Sequence, residues 1–159
     1  MECYEGATMI KTFRGLMITD SGGDSTDTVV LHTNDGSTGY RIKKLQIITK
    51  DPTDVTTEAV FQIFSVPTAS TDEIDFSNQQ LLGCAYWSNH LSGSIYPEDT
   101  VVVFDKMTFN QDIYLTCKSD AGGKGVNYYI ELEQVKLDLS ENTVATLKDI
   151  RNIEQPPQL

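Results

Sequence analysis

The chain has 159 residues, with 12 Lys and Arg against 23 Asp and Glu and a formal net charge of −11. Duplex nucleic acid and anionic membranes are bound through clustered cations, so that balance argues against both. Hydrophobic residues make up 39 %, enough for one domain with its own core and too many for a disordered acidic tail.

In chain order, alternation and composition predict strands over 11–18, 28–32, 40–50, 57–66, 80–87, 100–105, 113–118 and 126–137. The segment 58–64 is apolar on both faces: Ala59, Phe61 and Ile63 share one, Val60 and Phe64 the other. A strand of this kind belongs in the middle of a sandwich whose outer face meets something, or near a subunit contact. In 126–137, Tyr128, Ile130 and Leu132 alternate with Tyr129, Glu131 and Glu133, the pattern of a half-buried strand. Between strands lie turn segments such as Asp20-Ser21-Gly22-Gly23-Asp24, Asn34-Asp35-Gly36-Ser37 and Asp120-Ala121-Gly122-Gly123-Lys124-Gly125. No helices intervene to make parallel crossovers, so the expected fold is all-β, an antiparallel β-sandwich of jelly-roll-like form.

After Asp138 the pattern changes. Ser140 suits a helix N-cap, and Val144, Leu147 and Ile150 recur every three residues before Pro156-Pro157. The expected organisation is an N-terminal extension over 1–10, the sandwich over 11–138, and a short C-terminal helix with a tail over 139–159.

Catalytic signals are missing from the sequence. No phosphate-loop or dinucleotide fingerprint occurs, and His32 and His90 stand far apart without a metal or nucleophile motif around them. Cys3, Cys84 and Cys117 are an odd number at long spacing, which implies neither a disulfide framework nor a zinc site. The loop acids Asp20, Asp24 and Asp27, and again Asp72, Glu73 and Asp75, are oxygen donors of the type calcium takes, but their spacing is not that of an EF-hand. No apolar run approaches the length of a membrane span, and the acidic N-terminus lacks a signal-peptide pattern. The expectation is therefore no enzyme, no cofactor, no metal, no nucleic acid and no membrane.

Two sets of residues remain as candidates. Arg41 and Lys43 are read as sharing one strand face, with Lys44 pointing away; on an acidic protein they fit the acidic surface of a neighbouring subunit. With Val60, Phe64, Val144, Leu147 and Ile150 they form the expected subunit interface. Tyr86 and Trp87, followed by Ser88-Asn89-His90, are the alternative, a sugar- or host-surface-binding face.

Several stretches carry a likeness to a known group. Phe104-Asp105-Lys106-Met107-Thr108-Phe109-Asn110-Gln111-Asp112-Ile113-Tyr114, Val126-Asn127-Tyr128-Tyr129-Ile130-Glu131-Leu132-Glu133 and Thr143-Val144-Ala145-Thr146-Leu147-Lys148-Asp149-Ile150-Arg151 are the longest; Lys11-Thr12-Phe13-Arg14-Gly15 and Ser37-Thr38-Gly39-Tyr40-Arg41-Ile42 add to it. Over most of 9–152 the chain resembles small virion structural proteins of marine tailed bacteriophages. The resemblance implies a non-enzymatic particle component made in the host cytoplasm: a head decoration (cement) subunit, or alternatively a tail or neck accessory protein. Its implied partners are copies of itself, in a homo-oligomer such as a trimer, and the major capsid or tail protein of the same particle.

Overall fold

The computed structural model describes residues 8–31, 36–88 and 101–137. The expected helix with Val144, Leu147 and Ile150, together with Cys3, His32 and His90, lies outside these residues.

Eight strands follow one another: β1 (Ile10–Ile18), β2 (Asp24–Val29), β3 (Thr38–Thr49), β4 (Glu58–Phe64), β5 (Leu81–Ser88), β6 (Val101–Val103), β7 (Ile113–Ser119) and β8 (Gly125–Lys136). Two departures from the sequence reading have a common cause. β2 begins four residues earlier than its apolar residues suggest, because Asp24 to Thr28 pair with β7 as a polar edge that needs no apolar face. β6 is shorter than expected, because only Val101–Val103 pair with β5 and the chain then turns at Phe104.

The strands form two antiparallel sheets, β1-β8-β3 and β2-β7-β4-β5-β6. Period-two alternation puts Met17, Ile42, Leu45, Val126, Ile130 and Leu132 of the first sheet against Phe61, Ile63, Leu82, Ile113, Leu115 and Cys117 of the second. Phe61 and Tyr128 stack across the layers with ring centroids 5.6 Å apart. β4, the two-faced segment, is the middle strand of the larger sheet.

Turn chemistry fixes the register at one end. The Asp20 carboxylate accepts from the backbone N–H of Gly22 at 2.8 Å and of Asp24 at 3.0 Å, closing the β1–β2 reversal. Gly23 completes it at φ 83°, and a Cβ there would lie 2.4 Å from the Ser119 carbonyl oxygen, so only glycine fits.

Candidate interaction surface

The outer face of β1-β8-β3 is built in rows by the strand register. Ile10, Glu133 and Arg41 stand side by side; then Thr12, Glu131 and Lys44; then Arg14, Tyr129 and Gln46; then Leu16, Asn127 and Ile48. Ile18 follows beside Gly125. A β-bulge between Ile42 and Lys44 shapes this face. It places one extra residue in β3, so that Lys43 and Lys44 are both exposed while Ile42 and Leu45 both stay in the core. The expectation that Lys44 points away from Arg41 and Lys43 is thereby corrected: simple alternation fails where the bulge shifts it by one.

The face is polarised. Toward the start of β3, Lys43 pairs with Glu133 at 3.0 Å and Arg41 Nε donates to Thr108 Oγ1 at 3.1 Å. The Lys44 ammonium lies 5.9 Å from the centre of the Tyr129 ring, and the Tyr129 hydroxyl donates to Glu131 at 2.7 Å. That hydrogen bond, with some desolvation, raises the Tyr129 pKa above the usual phenol value. Toward the other end stand Leu16, Ile18 and Ile48, exposed at 43 %, 52 % and 55 %. Arg14, Arg41, Lys43 and Lys44 outnumber Glu131 and Glu133 on this face, so a chain of net charge −11 presents here a surface with excess positive charge.

The outer face of the larger sheet is treated differently. Gln62, Phe64, Leu81, Cys84 and Thr116 all point to that side or border it, yet all are buried. The connection 65–80 crosses them as a strap. Gln62 Nε2 donates to the Glu73 carbonyl at 3.0 Å, Ser70 hydrogen-bonds Asp24 on β2, and Phe76 packs edge-on against Phe104 with centroids 5.3 Å apart. One face of the sandwich is thus covered by the chain itself. Among the described residues, nothing comparable crosses the face of β1-β8-β3.

These placements sort the sequence candidates. Arg41 and Lys43 share the open face. Val60 is half-buried on the outer side of β4, between Tyr86 and Lys118. Phe64, on the same side, is only 3 % exposed, so the second apolar face of β4 is already covered within the chain at that point instead of waiting for a neighbour. Tyr86 and Trp87 do not form one ring face: Trp87 packs against the core opposite Ala59, whereas Tyr86 sits on the outer side opposite Val60. Leu16, Ile18 and Ile48 are the residues that sequence reasoning passed over. Their signal was available, since Leu16-Met17-Ile18 and Ile47-Ile48 place apolar side chains on both faces of a strand, the feature that marked β4.

The loop acids serve local structure. Asp24 accepts from Ser70 and from the Lys118 ammonium at 3.1 Å, and these bonds hold its carboxyl below the ordinary carboxylate range. Asp75 is lowered likewise by the Ser77 hydroxyl and N–H. Among the described residues, no three His, Cys, Asp or Glu side chains converge as a metal site. A cleft of about 390 Å³ between the β3–β4 and β7–β8 connections holds Lys124 and Asp54, but the two pair with each other. Cys84 and Cys117 are buried, and desolvation raises both thiol pKa values, Cys117 to about 11. No protein-family model matches this sequence, and no curated protein matches it.

Proposed function

We propose that this chain is a non-enzymatic structural protein of a bacteriophage virion, a capsid decoration (cement) subunit that stabilises the particle by burying surface against neighbouring subunits. The observation that carries the reading is the unequal treatment of the two outer faces. The larger sheet is covered by the 65–80 strap, while β1-β8-β3 keeps Leu16, Ile18 and Ile48 exposed beside an excess of positive charge on a strongly acidic chain. A free-standing domain gains nothing from exposed aliphatic side chains grouped on a sheet face; a subunit that docks there does.

We read the sandwich further as a jelly roll, the architecture of many viral shell proteins. A jelly roll arises when one long antiparallel ribbon, pairing first strand with eighth, second with seventh, third with sixth and fourth with fifth, is wrapped into two sheets. The pairs β1–β8, β2–β7 and β4–β5 are present. The wrapping contacts β8–β3 and β7–β4 are present too. β6 departs from the scheme by pairing with β5, and the segment after it meets β3 at the Tyr40–Phe109 bridge. To this body the reading adds a short C-terminal helix, with segment 139–155 docking across subunit boundaries. Decoration works through many weak repeated contacts, which suits such a subunit.

The test is gold-labelled antibody against the purified chain on intact particles from the same source, viewed by electron microscopy. Label distributed over heads supports the cement position. Label confined to tails or necks overturns that position, and label absent from particles overturns the virion reading.

A further inference from the structure

We infer that the apolar end of the open face, Leu16, Ile18 and Ile48, receives residues 138–159 of a second copy of this chain. The inference rests on the subunit reading above and names what that subunit docks with. Charge is the first argument. The face carries Arg14, Arg41, Lys43 and Lys44 against Glu131 and Glu133, whereas the segment carries Asp138, Glu141, Asp149 and Glu154 against Lys148 and Arg151. Two open faces pressed together with their charged ends in register would instead set like charges opposite each other.

Area gives the second argument. Three strands about 4.8 Å apart and some nine residues long at about 3.3 Å each offer roughly 430 Å², so two such faces together would bury roughly 850 Å². That is below the roughly 1,200 Å² at which stable interfaces begin. An inserted segment bringing Val144, Leu147 and Ile150 adds apolar area beyond what the sheet face itself supplies.

Reach decides between the chain's own segment and a neighbour's. The chain leaves the sheet at Leu137, which is ten residues along from Asn127, in the Leu16–Asn127–Ile48 row, or roughly 33 Å. From Leu137 to Val144 a fully extended chain covers at most about 24 Å, and a reversal back over its own sheet consumes part of that. From Leu137 to Leu147 it covers at most about 34 Å before that reversal is subtracted. Val144 and Leu147 of its own chain thus fall short of the patch once the chain has turned back, and a neighbour's segment does not face that limit.

Cross-linking tests this on the full chain. In a Cys3→Ser background, Ile48→Cys and Leu147→Cys proteins are mixed and oxidised, and linked peptides are read by mass spectrometry; Ile48 is exposed, so its replacement leaves the core intact. The expected result is a 48–147 link between chains, formed at least about tenfold more than with Thr12→Cys at the charged end of the same face. Sedimentation velocity should show Ile48→Asp or Leu147→Asp raising the concentration of half-assembly roughly tenfold, the loss expected from one buried aliphatic contact. A 48–147 link closing within one chain in the double Ile48→Cys/Leu147→Cys variant overturns the inference, as does a Thr12 link of equal yield or a full chain that stays monomeric. Gold label on particles without a 48–147 link would sink this docking and leave the virion reading standing; the link without the label would do the reverse.

Discussion

Replacing Gly15 by alanine tests how tightly the two layers are locked at the β1 edge. Tyr128 stacks on Phe61 in the core, passes beneath Gly15, and its hydroxyl donates to Asp27 of the opposite sheet at 3.3 Å. A Cβ on residue 15 would stand 2.6 Å from the Tyr128 hydroxyl oxygen and 2.8 Å from Cζ. Those distances cannot persist, so the ring must move, weakening both the stack and the Asp27 bond. Overpacking of this kind costs about 1–3 kcal/mol, whereas Gly→Ala at an unhindered site stabilises by about 0.4–1 kcal/mol, so the sign alone discriminates. At this chain length the loss corresponds to a melting temperature lower by roughly 2–10 °C. Urea unfolding followed by the fluorescence of Trp87, the chain's single tryptophan, reads it directly. Tyr128→Leu by itself costs about 2–4 kcal/mol through the cavity beside Phe61, and combining it with Gly15→Ala should cost less than the sum, because the clash has gone. A stabilised Gly15→Ala protein, or strict additivity in the double variant, would refute the reasoning.

Further expectations follow from the same geometry. The Lys124 ammonium, with the Thr56 hydroxyl and N–H, holds the Asp54 carboxyl well below its ordinary value, so the unfolded chain takes up that proton first. Stability from this group is present above about pH 4 and is lost as pH falls further; melting curves of Asp54→Asn should show a shallower acid loss than the parent. Burial first, then Asp27, pushes the Tyr128 phenol up to about 12 from 10.0. Stability should therefore decline as pH rises from about 10 toward 12, and Tyr128→Phe should flatten that decline in alkaline urea titrations. Gln62→Leu leaves the Glu73 carbonyl without its donor at a cost of about 1–3 kcal/mol. Its mark should be faster hydrogen exchange across 66–79, with β7 and β8 little changed. Cys84 and Cys117, buried with raised pKa values, should resist thiol reagents until urea unfolds the chain, as peptide mapping after alkylation will reveal.

The parts of the fold that burial dictates were legible in the sequence. Alternation in 126–137 showed which residues face the core, because a one-residue slip would expose Ile130 and bury Glu131; in 58–64 it showed only that both faces are covered. Polar and irregular stretches were less legible. Nothing apolar announces Asp24 to Thr28 as strand, since their order comes from pairing with β7. The bulge at Ile42/Lys44 left no composition signal, and it turned an expected two-sided Arg41-Lys43-Lys44 arrangement into a one-sided one. The strap 65–80 reads as loop, and its contacts with Gln62, Asp24 and Phe104 bridge residues far apart in the chain that local pattern cannot join. For the interaction surface, sequence supplied Arg41 and Lys43, while the two-faced apolar pattern of Leu16-Met17-Ile18 marked β1 as it marked β4 without saying which of its faces stays open; that came from the register.

Sedimentation velocity of the full chain, over a range of concentration and in low and high salt, tests most directly whether this protein works by assembling with itself. A concentration-dependent oligomer that weakens as salt rises, and weakens again with Ile48→Asp, is the predicted result. A single monomeric boundary at every concentration and salt level would contradict the account.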